Sequence, residues 1–164
     1  MFFPIQDLAC TLHVSRTEMS FPLHDSPLSL VVAERGADWP RWAERFEAGT
    51  PNVVVVAQKD NEDLSGLSHR VRERLAELSA EDQEVTRAVI VGGGARDSAA
   101  MAARHSTIKA IVAPMVALGR GTLILDASGP DRFCMAALAS TVASMVRGTG
   151  VKVVATSDTI ADVA

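Results

Sequence analysis

Three consecutive glycines, Gly92-Gly93-Gly94, follow the apolar run Val89-Ile90-Val91. Glycines let backbone N–H groups approach an anion, and a helix that starts just beyond them favours negative charge at its N-terminus. With Ala95 and Arg96, this turn is a candidate seat for a small anionic ligand. Two complete phosphate-binding motifs are nevertheless missing. A dinucleotide fingerprint needs glycine at position 97, where Asp97 stands. A P-loop needs Gly-Lys-Ser/Thr after its spacer, and no such triplet follows this turn. Asp97 would repel a phosphate, and Arg96 offsets that only if its side chain turns inward. A tight strand-to-helix turn before a capped helix explains the same residues with no ligand.

Three aspartates, Asp60, Asp126 and Asp158, follow three other apolar runs. Carboxylates that converge from strand ends can hold Mg²⁺, whose preference for oxygen ligands suits phosphoryl chemistry. Aspartates in such loops are also ordinary helix caps or solvated groups. Ser128 and Ser157 can hydrogen-bond a ligand at the same edge, and Ser128 can equally cap the helix behind Pro130. The histidines His13, His24, His69 and His105 are scattered, without a cysteine or second histidine at ligand spacing. Cys134 lies near an expected helix start, which lowers a thiol pKa, but Phe133, Met135 and Ala136 beside it suggest burial, which raises it.

These candidates need a scaffold that brings them to one edge, and the hydrophobic pattern supplies it. Leu28–Ala33, Val53–Ala57, Val85–Val91, Leu123–Leu125 and Val151–Ala155 read as strands. Val53–Ala57 is the most hydrophobic and is expected at the sheet centre. Asp38, Pro40 and Gly49 frame a short helix with Trp39, Trp42 and Phe46 inward. Leu67, Val71, Leu75 and Leu78 form the stripe of a second helix. A third carries Met101, His105, Ile108, Val112 and Met115, with Pro114 expected to kink or break it. The fourth runs from Pro130 to Arg147. The resulting β-α alternation over residues 28–164 predicts a three-layer α/β sandwich with a mostly parallel sheet, flavodoxin-like or Rossmann-like. Residues 1–27, with alternating Leu8, Cys10, Leu12 and Val14, read as an antiparallel N-terminal hairpin added to this single domain.

Composition narrows the function classes. Sixteen Lys and Arg against 20 Asp and Glu give a net charge of −4, which leaves no basic stripe for nucleic acid. Only 4% of residues are aromatic and none is Tyr, so base-stacking platforms are scarce. The basic stretch around His69-Arg70-Val71-Arg72 is balanced by Glu73, Glu77, Glu81 and Asp82 and reads as a solvated helix face. No membrane span or signal peptide is expected, and Cys10 and Cys134 share no redox or metal spacing. A cytoplasmic, bacterial protein fits this composition.

The fourth helix is apolar over a wide arc, with Phe133, Leu138, Val142 and Met145, and small at Ala136, Ser140 and Ala143. That arc predicts a homodimer through the helix Pro130 to Arg147, or else burial beneath the N-terminal hairpin. The combined expectation is a non-catalytic or regulatory self-associating module. It would bind a small anionic ligand at the strand C-terminal edge, with no cofactor. The alternatives are a small Mg-dependent hydrolase or phosphotransfer enzyme and a nucleotide-binding module using the glycine turn.

Overall fold

The computed structural model describes residues 28–40, 42, 44 and 52–156. Residues 1–27, where a hairpin is expected, and Phe46, Gly49, Ser157 and Asp158 lie outside the described residues. Within them the chain forms β1 (Leu28–Ala33), β2 (Val53–Ala57), α1 (Leu64–Ala80), β3 (Val85–Val91), α2 (Ser98–Leu118), β4 (Gly121–Asp126), α3 (Arg132–Met145) and β5 (Val151–Thr156). The five strands pair in parallel in the order β2-β1-β3-β4-β5. This is the flavodoxin-like order of a doubly wound α/β sheet.

Topology decides which helix covers which face. The chain steps one way from β1 to β2. It then jumps back past β1 to β3 and continues in that direction to β4 and β5. If all crossovers share one hand, the first connection falls on one face and the other three on the opposite face. The core divides accordingly. Leu67, Val71, Ile108, Ile111, Met135 and Val142 from the three long helices pack with Leu30, Ile90, Leu123 and Leu125. Trp42, from the helical turn between β1 and β2, packs on the other face with Val31, Val89, Val91 and Ile124.

Three local expectations are corrected. β2 lies at the edge of the described sheet, and Val55 is 36% exposed. Its hydrophobicity serves one buried face and one pairing partner, not a central position. Pro114 does not break α2, which runs from Ser98 to Leu118 and stops at Gly119, in the left-handed region at φ +70°. Pro114 and Ala113 face solvent, so water can replace the bond the proline removes, while buried Ile111, Val112 and Met115 anchor both sides of it. The fourth expected helix is shorter than its sequence pattern implies: Pro130 precedes the N-cap, Asp131, and Val146 is the C-cap.

Candidate functional site

In a sheet of this order the chain leaves β1 toward one edge and β3 toward the other. Their C-terminal ends flank the crevice where such folds bind ligands. Here that crevice is occupied by side chains of the chain itself. Glu34, the first residue after β1, is buried against Arg104 of α2. Arg104 Nε donates to Glu34 Oε1 at 2.5 Å and Nη2 donates to Oε2 at 2.6 Å, a two-point fork. Nη2 also donates to Asp131 Oδ2 at 2.7 Å. The three side chains are 3% exposed or less.

The glycine turn completes this cluster. Gly93 N donates to Glu34 Oε2 at 3.0 Å and Gly94 N donates to Asp131 Oδ2 at 3.3 Å. The anions that these amides meet are therefore the chain's own carboxylates. The glycines are needed for this close approach. A Cβ on Gly92 would lie 2.1 Å from Asp131 Oδ2, and one on Gly93 would lie 1.9 Å from the Arg35 carbonyl oxygen. Burial pulls the Arg104 guanidinium downward, but its hydrogen bonds to Glu34 and the charges of Glu34 and Asp131 more than offset it. The result is a shift above the ordinary arginine value. Arg104 is thus a permanent cation holding β1, the β3 turn and the start of α3 together.

The other candidates separate around this centre. Ala95 and Arg96 are exposed on the rim, and Asp97 caps α2 through Ala100 N at 2.8 Å. Asp126 is buried at the end of β4. Its Oδ2 accepts from Trp42 Nε1 at 2.6 Å, and its Oδ1 accepts from Ser128 N at 3.0 Å and Ser128 Oγ at 2.5 Å. Thr156 Oγ1 adds a longer contact of 3.4 Å to the same oxygen. The Ser128 hydroxyl thus serves Asp126. Asp60 stands exposed beyond β2, three strand steps from β4, or roughly 14 Å by the usual interstrand spacing. Asp60 and Asp126 thus follow strands three steps apart, and Asp158, the third residue of the expected Mg²⁺ set, lies outside the described residues. Among the described residues no group of three His, Cys, Asp or Glu could hold a metal.

Sequence reasoning passed over Glu34, Arg104 and Asp131. A usable signal existed in α2. Ala100, Arg104, Thr107 and Ile111 share one face at helical spacing, and all four are buried. An arginine on such a face needs carboxylate partners, and Glu34 at the end of an apolar strand was one available.

Neither a protein-family model nor a curated protein matches this sequence. Solved structures do resemble its fold. Ribose-5-phosphate isomerase from Brucella melitensis is similar over 83% of this chain and 70% of its own, with a TM-score of 0.58 at 17% identity. A short-chain dehydrogenase from Streptomyces avermitilis is similar over 78% of this chain, with a TM-score of 0.51 at 12% identity. The chain spans 64% of that dehydrogenase's length. At these identities the likeness is one of fold: a parallel, Rossmann-like α/β sheet with helices.

Proposed function

We propose that this chain is a non-catalytic, self-associating Rossmann-like domain whose ligand crevice is held shut by its own ion cluster. One observation carries the reading: Glu34 and Asp131 take the Gly93 and Gly94 amides, and Arg104 pins both. A dinucleotide pyrophosphate or a sugar phosphate entering here would meet two buried carboxylates of its own sign. Displacing them would strip Arg104 of partners that it holds with almost no exposure to water. What remains for a small anion is the exposed rim at Ala95 and Arg96, a weak site beside Asp97.

Self-association rests on α3. Leu138 and Val142 are buried against the sheet, whereas Phe133 is 76% and Met145 56% exposed. Ala137, Thr141 and Ser144 lie exposed between them, and no charged residue interrupts the helix after Arg132. A second copy would meet a face whose one charge is the Arg132 guanidinium, stacked over the Phe133 ring at 5.0 Å. The contact is centred on Phe133, Ala137 and Met145, with the half-buried Ala136, Ser140 and Ala143 at its border. No helix among the described residues is long and apolar enough to cross a membrane, and the free thiol of Cys134 suits a reducing cytoplasm.

Calorimetric titration with NADH, NADPH and ribose 5-phosphate tests the closed crevice. A crevice held shut gives no saturable heat with any of them. Stoichiometric binding of one of these compounds, lost when Arg104 is replaced, would contradict it.

A further inference from the structure

We infer that the self-association face takes in α2 as well as α3, so that two copies meet through four helices and α1 stays in solvent. The inference rests on the α3 contact proposed above and adds a second element to it.

Size is the first argument. A stable contact buries roughly 800 Å² on each partner, drawn from about 20–30 residues a side. The 14-residue α3 offers the eight residues named above, five exposed and three half-buried, which falls well short. α2 follows the neighbouring crossover and runs for 21 residues. Its buried Ile108, Val112 and Met115 lie in one core with Met135, Leu138 and Val142 of α3. The two helices therefore present their outer surfaces side by side.

Surface chemistry separates α2 from α1. On α1, His69, Arg72, Glu73 and Glu77 face solvent, and His69 pairs with Glu73 and Arg74 with Glu77 along the helix. Among the described residues of α2, Arg104 is buried and Lys109 is the one exposed charge. Ala102, Ala113 and Val116 are exposed around it at helical spacing, on the side away from the sheet. Ala103 and Thr107 line a small cavity with Leu64 and Leu67 of α1, which puts Val116 on the opposite flank, toward α3. A second copy is the occupant that these residues fit. Small side chains let helices approach to about 8–10 Å, which a lipid surface does not require. The two charges on the joint face, Lys109 and Arg132, are both cations, so their long stems carry them to the rim of a two-fold contact.

Sedimentation velocity of the full chain tests this. Ala113→Glu puts a charge at an exposed position of α2 and keeps a good helix former there. It should shift the dimer to monomer, with the circular dichroism melt of the parent retained. Ala76→Glu, the same change on the exposed face of α1, should leave the dimer intact. Added salt should leave association as tight or tighter, since only like charges meet. An Ala113→Glu dimer beside a monomeric Phe133→Asp would overturn the inference and keep the α3 contact. A monomeric parent would remove both. Association that weakens steeply with salt would assign the cationic face to the acidic α1 of another copy and overturn the two-fold packing. If Ala113→Glu does not fold, Ala102→Glu reads the same face.

Discussion

At the residue scale, one cation serves two carboxylates, and this asymmetry sets the cost of each substitution. Arg104→Met leaves Glu34 and Asp131 buried without a counter-charge. The expected loss is about 3–5 kcal/mol, read from urea denaturation. Glu34→Gln keeps the shape, leaves Arg104 paired with Asp131, and should cost less, on the order of 1–3 kcal/mol. Equal losses for both would mean that the cation is not the centre of the cluster. Gly93 and Gly119 form a second pair. Gly119 sits at φ +70° with nothing of the described residues within 4 Å of a Cβ, so Gly119→Ala carries only the left-handed backbone penalty of about 1–2 kcal/mol. Gly93→Ala drives a methyl into the Arg35 carbonyl and should destabilise the domain more. The prominence of the glycine turn was legible in the sequence, because three glycines after an apolar strand must serve a close approach. What approaches was not legible. Glu34 and Asp131 lie 59 and 37 residues from their amide partners, and only the strand order brings them there.

At the element scale, the tip of β2 is fastened by a charged network. Arg70 on α1 donates through Nε to Glu62 Oε1 at 2.7 Å and through Nη2 to the Ala57 carbonyl. Arg35 Nη2 reaches the carbonyls of Lys59 and Glu62 from the β1 tip. The Arg70 hydrogen bond holds the Glu62 carboxyl at about 2, well below its ordinary 4.5. A folded-state value below the unfolded one stabilises the domain above the unfolded pKa. That contribution fades as pH falls from 4.5 through about 2. Both side chains are mostly buried, so the contribution should be on the order of 2 kcal/mol. Arg70→Met should flatten the loss of stability across that acid range, as measured by denaturation midpoints at stepped pH. A variant as acid-sensitive as the parent would show that Glu62 does not carry it. Most elements were readable from periodicity, because each helix buries one stripe and each strand one run. Reading β2 as central failed for a physical reason: hydrophobicity reports burial, and the position of a strand in the sheet is set by where the connections lead. The expected break at Pro114 failed because solvent can satisfy the carbonyl that the proline frees on the exposed side.

At the scale of the whole molecule, the same connections that wind the sheet also create a crevice between β1 and β3 and fill it. The fold class followed from the alternation of strands and helices, whereas the closure of the crevice depended on contacts across the sheet. The exposed Phe133 and Met145 give the domain a second property to test. Sedimentation velocity should find dimers of the parent and a shift to monomer in Phe133→Asp, whose stability should change little because Phe133 is 76% exposed. A monomeric parent at high concentration would remove self-association from the proposal and leave the crevice unaffected. The crevice itself is tested most directly by nuclear magnetic resonance. The amide signals of Gly93 and Gly94 and the Arg104 Nε–H report on the bonds that close it, and each can be followed while NADH or inorganic phosphate is added. A closed ion cluster predicts that all three signals stay in place up to millimolar ligand. Saturable movement of the three together, at one shared dissociation constant, would show that a ligand replaces the carboxylates and would contradict the closed crevice.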